Sequence, residues 1–126
     1  MADIEGPIQR AICSYLTTVL DPAVAQWFAI PNENDGTPKM NSRLNAQGRK
    51  KGVADLQIVH AGRALFIEVK SPKGTQSPSQ KEFEQRICIV GASYGVARSV
   101  DDAAMLMERW GVPTRVRRLP HRGSVT

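Results

Sequence analysis

Two short apolar runs joined by a tight link constrain this chain more than any other feature. Residues 53–60 (VADLQIVH) and 64–70 (ALFIEVK) flank Ala61-Gly62-Arg63, a link short enough for an antiparallel hairpin. Side chains alternate between the two faces of a strand. In the second run Leu65, Ile67 and Val69 take one face, and their character makes that face the core. Phe66, Glu68 and Lys70 take the other. In the first run Ala54, Leu56 and Ile58 form the core face, and Asp55 lies opposite them. Antiparallel pairing about the link then brings Asp55 near Glu68 and Lys70. A Glu and a Lys two residues apart in an apolar strand cost desolvation unless they have partners.

The rest of the chain supplies elements to pack on that hairpin. Residues 5–20 read as a helix, with Ile8, Ala11, Ile12, Tyr15, Leu16 and Val19 on one apolar face. Pro7 suits its first turn, and Asp21-Pro22 ends it. Residues 24–31 read as a short strand, and residues 32–52 as a long polar loop of the kind that is usually functional. Ser77-Pro78-Ser79-Gln80 opens the next helix, with Ser as N-cap, Pro at the first position and Gln at N3. Phe83, Ile87 and Val90 line its apolar face. Residues 94–98 read as a strand, and Ser99-Val100-Asp101-Asp102 opens a last helix that runs to Trp110 and stops at Gly111. The predicted order is α-β-β-β-α-β-α, an α/β fold with a mixed central sheet flanked by helices. At 126 residues the chain is read as a single domain, with a core over about residues 4–111 and a basic tail over 112–126.

Charge narrows the partner. Seventeen Lys and Arg against twelve Asp and Glu give +5, a balance that suits a polyanion. Residues 38–51 hold five cations (Lys39, Arg43, Arg49, Lys50, Lys51) and no acid. Residues 109–122 hold five more (Arg109, Arg115, Arg117, Arg118, Arg122), again without an acid. Two such clusters in one small domain point to phosphate contact. Cys13 and Cys88 have no zinc-ligand spacing and are expected to pack in helices as small hydrophobes. His60 and His121 have no partner at ligand spacing. The acidic start, without a basic segment leading into an apolar one, is unlike a signal peptide, so the expected compartment is the cytoplasm.

Two carboxylates and an ammonium at one end of a hairpin suggest a chemistry. Close carboxylates repel, and a hard divalent cation such as Mg²⁺ relieves the repulsion with oxygen ligands, leaving room for water and a substrate phosphate. Such a metal polarises a phosphate oxygen and acidifies bound water. A neighbouring lysine offsets charge that builds on the phosphate. Asp-x(12)-Glu-x-Lys therefore fits a metal-dependent phosphodiesterase, whereas Glu-x-Lys alone would be an ordinary surface pair.

These residues also carry a resemblance. Gly52-Val53-Ala54-Asp55-Leu56, Phe66-Ile67-Glu68-Val69-Lys70, Lys73-Gly74 and Ser77-Pro78-Ser79-Gln80 follow one another as in the virus-type replication–repair nuclease (VRR-NUC) branch of the PD-(D/E)xK superfamily. Glu5 with Ile8-Gln9, Pro31-Asn32 and Trp110-Gly111 extend the match over roughly residues 4–111. The resemblance implies a restriction-endonuclease-like core. It implies Asp55, Glu68 and the Val69 carbonyl as ligands of Mg²⁺ or Mn²⁺, and Lys70 as the catalytic lysine. It also implies Gln80 as a helix glutamine near the metal and Glu5 as a further acid brought in by the first helix. The sequence departs from the family at Ala54, where a proline is usual, and at Thr75-Gln76, where family members are more apolar.

Simpler roles stand beside these. Gln80 at N3 could be only a cap, and Glu5 only a favourable acid at a helix start. Gly48 and Gly52 could allow close backbone approach to DNA or merely flex. Trp27, Phe28 and Trp110 are read as core. The implied activity is a Mg²⁺-dependent DNA endonuclease acting in DNA repair, bacterial or phage-encoded. Its expected substrate is branched DNA such as a Holliday junction, and its expected form a homodimer. Lys39, Arg43, Arg49, Lys50, Lys51 and Lys73 would serve as DNA contacts. The alternatives are a flap or nicking nuclease, or a DNA-binding assembly protein that retains the fold without catalysis.

Overall fold

A computed structural model describes residues 4–31 and 38–115. The expected roles of Asn32, Arg117, Arg118, His121 and Arg122 lie outside these residues. The hairpin forms as the alternation predicts. Strands β2 (Leu56–His60) and β3 (Arg63–Val69) pair antiparallel, with Leu56 opposite Ile67 and His60 opposite Arg63. The link is a two-residue turn, because Arg63 joins the strand. Ala61 and Gly62 both have positive φ, 50° and 74°. That is what a turn matched to the strand twist requires, and glycine provides it without strain.

Two more strands complete the sheet in the order β1-β2-β3-β4. β1 (Ala25–Ala29) pairs antiparallel with β2, and β4 (Ser93–Ala97) runs parallel to β3. A parallel neighbour needs a crossover, and α3 (Pro78–Ile89) provides it. The sheet is therefore mixed, as expected. One face is the core. Leu56, Ile58, Leu65, Ile67 and Val69 are at most 1% exposed. They pack with Ile12 and Leu16 of α1 (Glu5–Val19) and Leu106 and Met107 of α4 (Val100–Arg109). After α4 the chain returns to α1: Arg115 donates from its backbone N–H to Val19 O at 2.7 Å and from Nη2 to Leu20 O at 3.0 Å. A cation thus satisfies carbonyls at a helix C-terminus, where it is favoured.

Several expectations need correction. The segment expected to be loop contains a helix, α2 (Pro38–Ala46), so the order is α-β-α-β-β-α-β-α. α2 buries no residue fully, and only Met40 and Leu44 give it an apolar pair one turn apart. A helix with so narrow a stripe has almost no periodic signal. α3 likewise buries nothing fully. Phe83 does pack inward, edge-on to Phe66 with ring centroids 5.4 Å apart, but Val90 is 77% exposed. Cys88 on the same helix is exposed, while Cys13 is half-buried in α1. Trp110 joins the core, whereas Phe28 is 47% exposed on the edge strand. Among the described residues no helix is long and apolar enough to cross a membrane.

Candidate active site

The site begins where the hairpin ladder breaks. Strand β2 starts at Leu56, later than the expected residue 53. Asp55 N–H donates to Ile67 O at 3.1 Å, the residue that also faces Leu56. Two residues thus oppose one, which is a β-bulge, a device that re-aims a side chain. The Asp55 carboxylate turns onto the neighbouring strand, and its Oδ2 accepts from Val69 N–H at 2.7 Å. A side chain here takes a position in the ladder that a main-chain carbonyl would otherwise occupy. From the other side, Ile30 N–H donates to Asp55 O at 2.8 Å. Strands on both sides therefore hold the Asp55 backbone. A strand residue's N–H and C=O leave on the same edge, so the Val69 carbonyl opens to the Asp55 side.

Glu68 is 2% exposed and Lys70 8%. They lie on the sheet face away from the core, as the alternation predicts, but α3 covers that face. Burial is the main reason that the Glu68 carboxyl is pushed up to about 8. The charge of Asp55 and a hydrogen bond shared with it push the same way, while Lys70 and the Tyr94 hydroxyl oppose. Among the described residues Lys70 makes no ion pair with either carboxylate. Its backbone N–H is fixed to Ala97 O at 3.0 Å.

Gln80 caps α3 and also reaches Glu68. Its Oε1 accepts from Ser77 N–H at 2.8 Å, and its own N–H donates to Ser77 Oγ at 3.2 Å, a complete capping box. Its Nε2 donates to Glu68 Oε2 at 3.0 Å. One amide has an acceptor and two donors, so nothing forces a choice. The start of α3 is brought there by Gly52, at φ +79°. A Cβ on Gly52 would lie 2.2 Å from Ser79 O and 2.8 Å from Gln80 N. The close approach that Gly52 permits is therefore to α3.

Sequence reasoning missed two residues. Tyr94 on β4 reaches Glu68 Oε1 at 3.4 Å, and Gln76 Nε2 reaches Tyr94 Oη at 3.2 Å. Burial pushes the Tyr94 phenol upward, so it keeps its hydrogen at neutral pH. The strand pattern marks Tyr94 as a sheet residue, but only the parallel register, Phe66 beside Tyr94, carries it to Glu68.

Two solved structures share this architecture. One, described as a VRR_NUC domain, has 21% identity and a TM-score of 0.60, over 86% of this chain and 99% of that one. Another, a VRR_NUC domain protein, has 17% identity and a TM-score of 0.68, over 90% and 93%. The chain has the VRR_NUC fold. No protein-family model and no curated protein sequence matches it.

The other predicted residues have distinct places on this VRR_NUC fold. Lys39 and Arg43 are exposed on α2, and Lys50 and Lys51 on the loop leading to Gly52. Arg49 is half-buried, with its guanidinium on Asn45 Oδ1 at 3.1 and 3.2 Å. It braces α2 rather than standing free. Lys73 is exposed on a turn that Arg98 holds through Gly74 O at 2.8 Å. Glu5 is exposed in the first turn of α1, where the helix dipole favours an acid. The structure does not gather it with the others: among the described residues no group of three or more His, Cys, Asp or Glu side chains converges. The convergent set is Asp55, Glu68, Lys70, Gln80 and Tyr94.

Two consequences can be measured on metal-free protein. Folded Glu68 holds its proton to about pH 8, whereas an unfolded Glu releases it near its ordinary value of 4.5. Stability therefore falls as pH rises through that window and levels off above it. Glu68→Gln removes this slope. Urea unfolding in chelator should find the variant more stable than the parent at pH 8.5, by on the order of 3 kcal/mol, and nearly equal at pH 4.5. Gln80→Glu keeps the cap acceptor but sets a carboxylate against Glu68. It should lose about 1–2 kcal/mol at pH 8, where a residue acting only as a cap would be unaffected.

Proposed function

We propose that this chain is a metal-dependent DNA endonuclease domain. The observation that carries the reading is the meeting of half-buried Asp55 with buried Glu68 and Lys70 at the open end of the hairpin, where neither carboxylate forms an ion pair among the described residues. Two carboxyls that each oppose the other's ionisation mark a point where positive charge is stabilised. The donors around it, two carboxylates and the Val69 carbonyl, are all hard oxygen, which suits Mg²⁺ or Mn²⁺. When bound, such a metal supplies Lewis acidity and a more acidic water.

The chain's own residues supply the rest. Asp55, tied through Val69 N–H, and Glu68, tied through Gln80, present their remaining lone pairs as ligands. Lys70 offsets the charge that builds on the phosphate during phosphodiester hydrolysis. Lys39, Arg43, Lys50, Lys51 and Lys73 hold the DNA backbone through phosphates and so position it without reading bases. Branched DNA, such as a Holliday junction, is the substrate class we assign. A homodimer is the working form, since a two-fold pair offers one site to each of two strands.

Cleavage of plasmid and four-way-junction DNA tests the chemistry. Activity should require Mg²⁺ or Mn²⁺ and cease with chelator. Asp55→Asn and Lys70→Ala should each lose 100-fold or more, about 2.7 kcal/mol of barrier, while still binding DNA. Parent-rate cleavage by either variant would remove that residue from the mechanism. Binding to duplex DNA across a salt series tests the basic surface. Changing Lys50 and Lys51 together to Ala should reduce the slope of log K against log salt by about 2. An unchanged slope would turn this loop away from DNA.

A further inference from the structure

Gln80 engages one oxygen of Glu68. The other, Oε1, faces a hydroxyl that belongs to none of the motifs. Tyr94 Oη donates to it at 3.4 Å. The direction of that bond is set from outside the site. Gln76 Nε2 donates both to Glu84 Oε1 at 3.0 Å and to Tyr94 Oη at 3.2 Å. A carboxylate only accepts, so Glu84 decides which end of the Gln76 amide turns inward. The second amide hydrogen then fills an acceptor site on the Tyr94 oxygen. The phenol hydrogen is left for Glu68. The Tyr94 ring is fixed independently by Phe83, with centroids 6.1 Å apart and planes tilted by 57°.

We infer that Tyr94, aimed by Gln76 and Glu84, is a positioning residue that holds Glu68 Oε1 so that Glu68 and Asp55 together face a divalent cation. The inference rests on the metal-site reading of those two carboxylates. Neutral donors behind a ligating carboxylate fix its orientation, and their loss commonly weakens metal binding. At 3.4 Å this donor is long, so a loss at the low end, about three- to tenfold, is expected.

Calorimetric titration of the metal-free full chain with Mn²⁺, without DNA, tests it. The parent should bind, and Asp55→Asn should abolish binding. Tyr94→Phe keeps the ring on Phe83 and should weaken binding about three- to tenfold. Gln76→Met should weaken it in the same direction and add nothing to Tyr94→Phe, because it acts through the phenol. If Tyr94→Phe binds within twofold of the parent while Asp55→Asn does not bind, the positioning role is overturned and the metal reading stands. If the two losses add in full, the aiming role of Gln76 is overturned. Should Tyr94→Phe fail to fold, Gln76→Met alone decides: weaker binding supports the inference, and unchanged binding overturns it. A parent that binds no Mn²⁺ overturns the metal reading and this inference with it.

Discussion

Two carboxylates are forced together at the open end of a hairpin, and the neighbouring structure is arranged around that repulsion. Asp55 meets Glu68 because a bulge turns its side chain out of the ladder and onto Val69 N–H. Glu68 meets Asp55 because it stands in a strand whose opposite face is the core. Neither can move away cheaply. To shift Glu68 would pull Ile67 and Val69 from the packing against α1 and α4. To shift Asp55 would break main-chain bonds to both neighbouring strands. The core therefore supplies the rigidity with which like charges are held close.

Burial raises the stakes of that arrangement. A carboxylate that is 2% exposed has lost most of its hydration, so it keeps a proton well above its ordinary range. The protein surrounds Glu68 with neutral donors, Gln80 and Tyr94, and with one ammonium, Lys70. Among the described residues no cation forms an ion pair with it. Amide and hydroxyl donors orient the Glu68 carboxyl without adding a charge beside it. The same logic explains the start of α3. Gln80 serves the helix cap with one end of its amide and Glu68 with the other, and Gly52 clears the space that brings this turn against the loop before Asp55. The exposed pair Lys50-Lys51 stands immediately before Gly52, so the basic surface and the carboxylates are joined by a very short stretch of chain.

Strict alternation made the central hairpin legible. The Leu65, Ile67 and Val69 face, the meeting of Asp55 with Glu68, and the capping box at Ser77–Gln80 could all be read from periodicity of two and from cap chemistry. What could not be read was set by tertiary contact. The bulge depends on how β2 meets both its neighbours, so the strand starts at Leu56, three residues after the start that the alternation predicts. α2 has a polar surface and only Met40 and Leu44 to anchor it, so composition resembles a loop. Tyr94 reaches Glu68 only through the register of two parallel strands joined by a crossover helix, a distance in sequence that local patterns do not span. The N3 position of Gln80 predicts its cap, but its bond to Glu68 follows only from the position of α3 over β3.

The central claim is that Asp55 and Glu68 form one cation site. Anomalous diffraction from crystals soaked in Mn²⁺ tests it most directly. The account predicts a single strong peak between the two carboxylates, about 2.1 Å from an oxygen of each, with the Val69 carbonyl on the same side and Gln80 still on Glu68. A map with no peak there, or with Mn²⁺ bound only elsewhere, would contradict it.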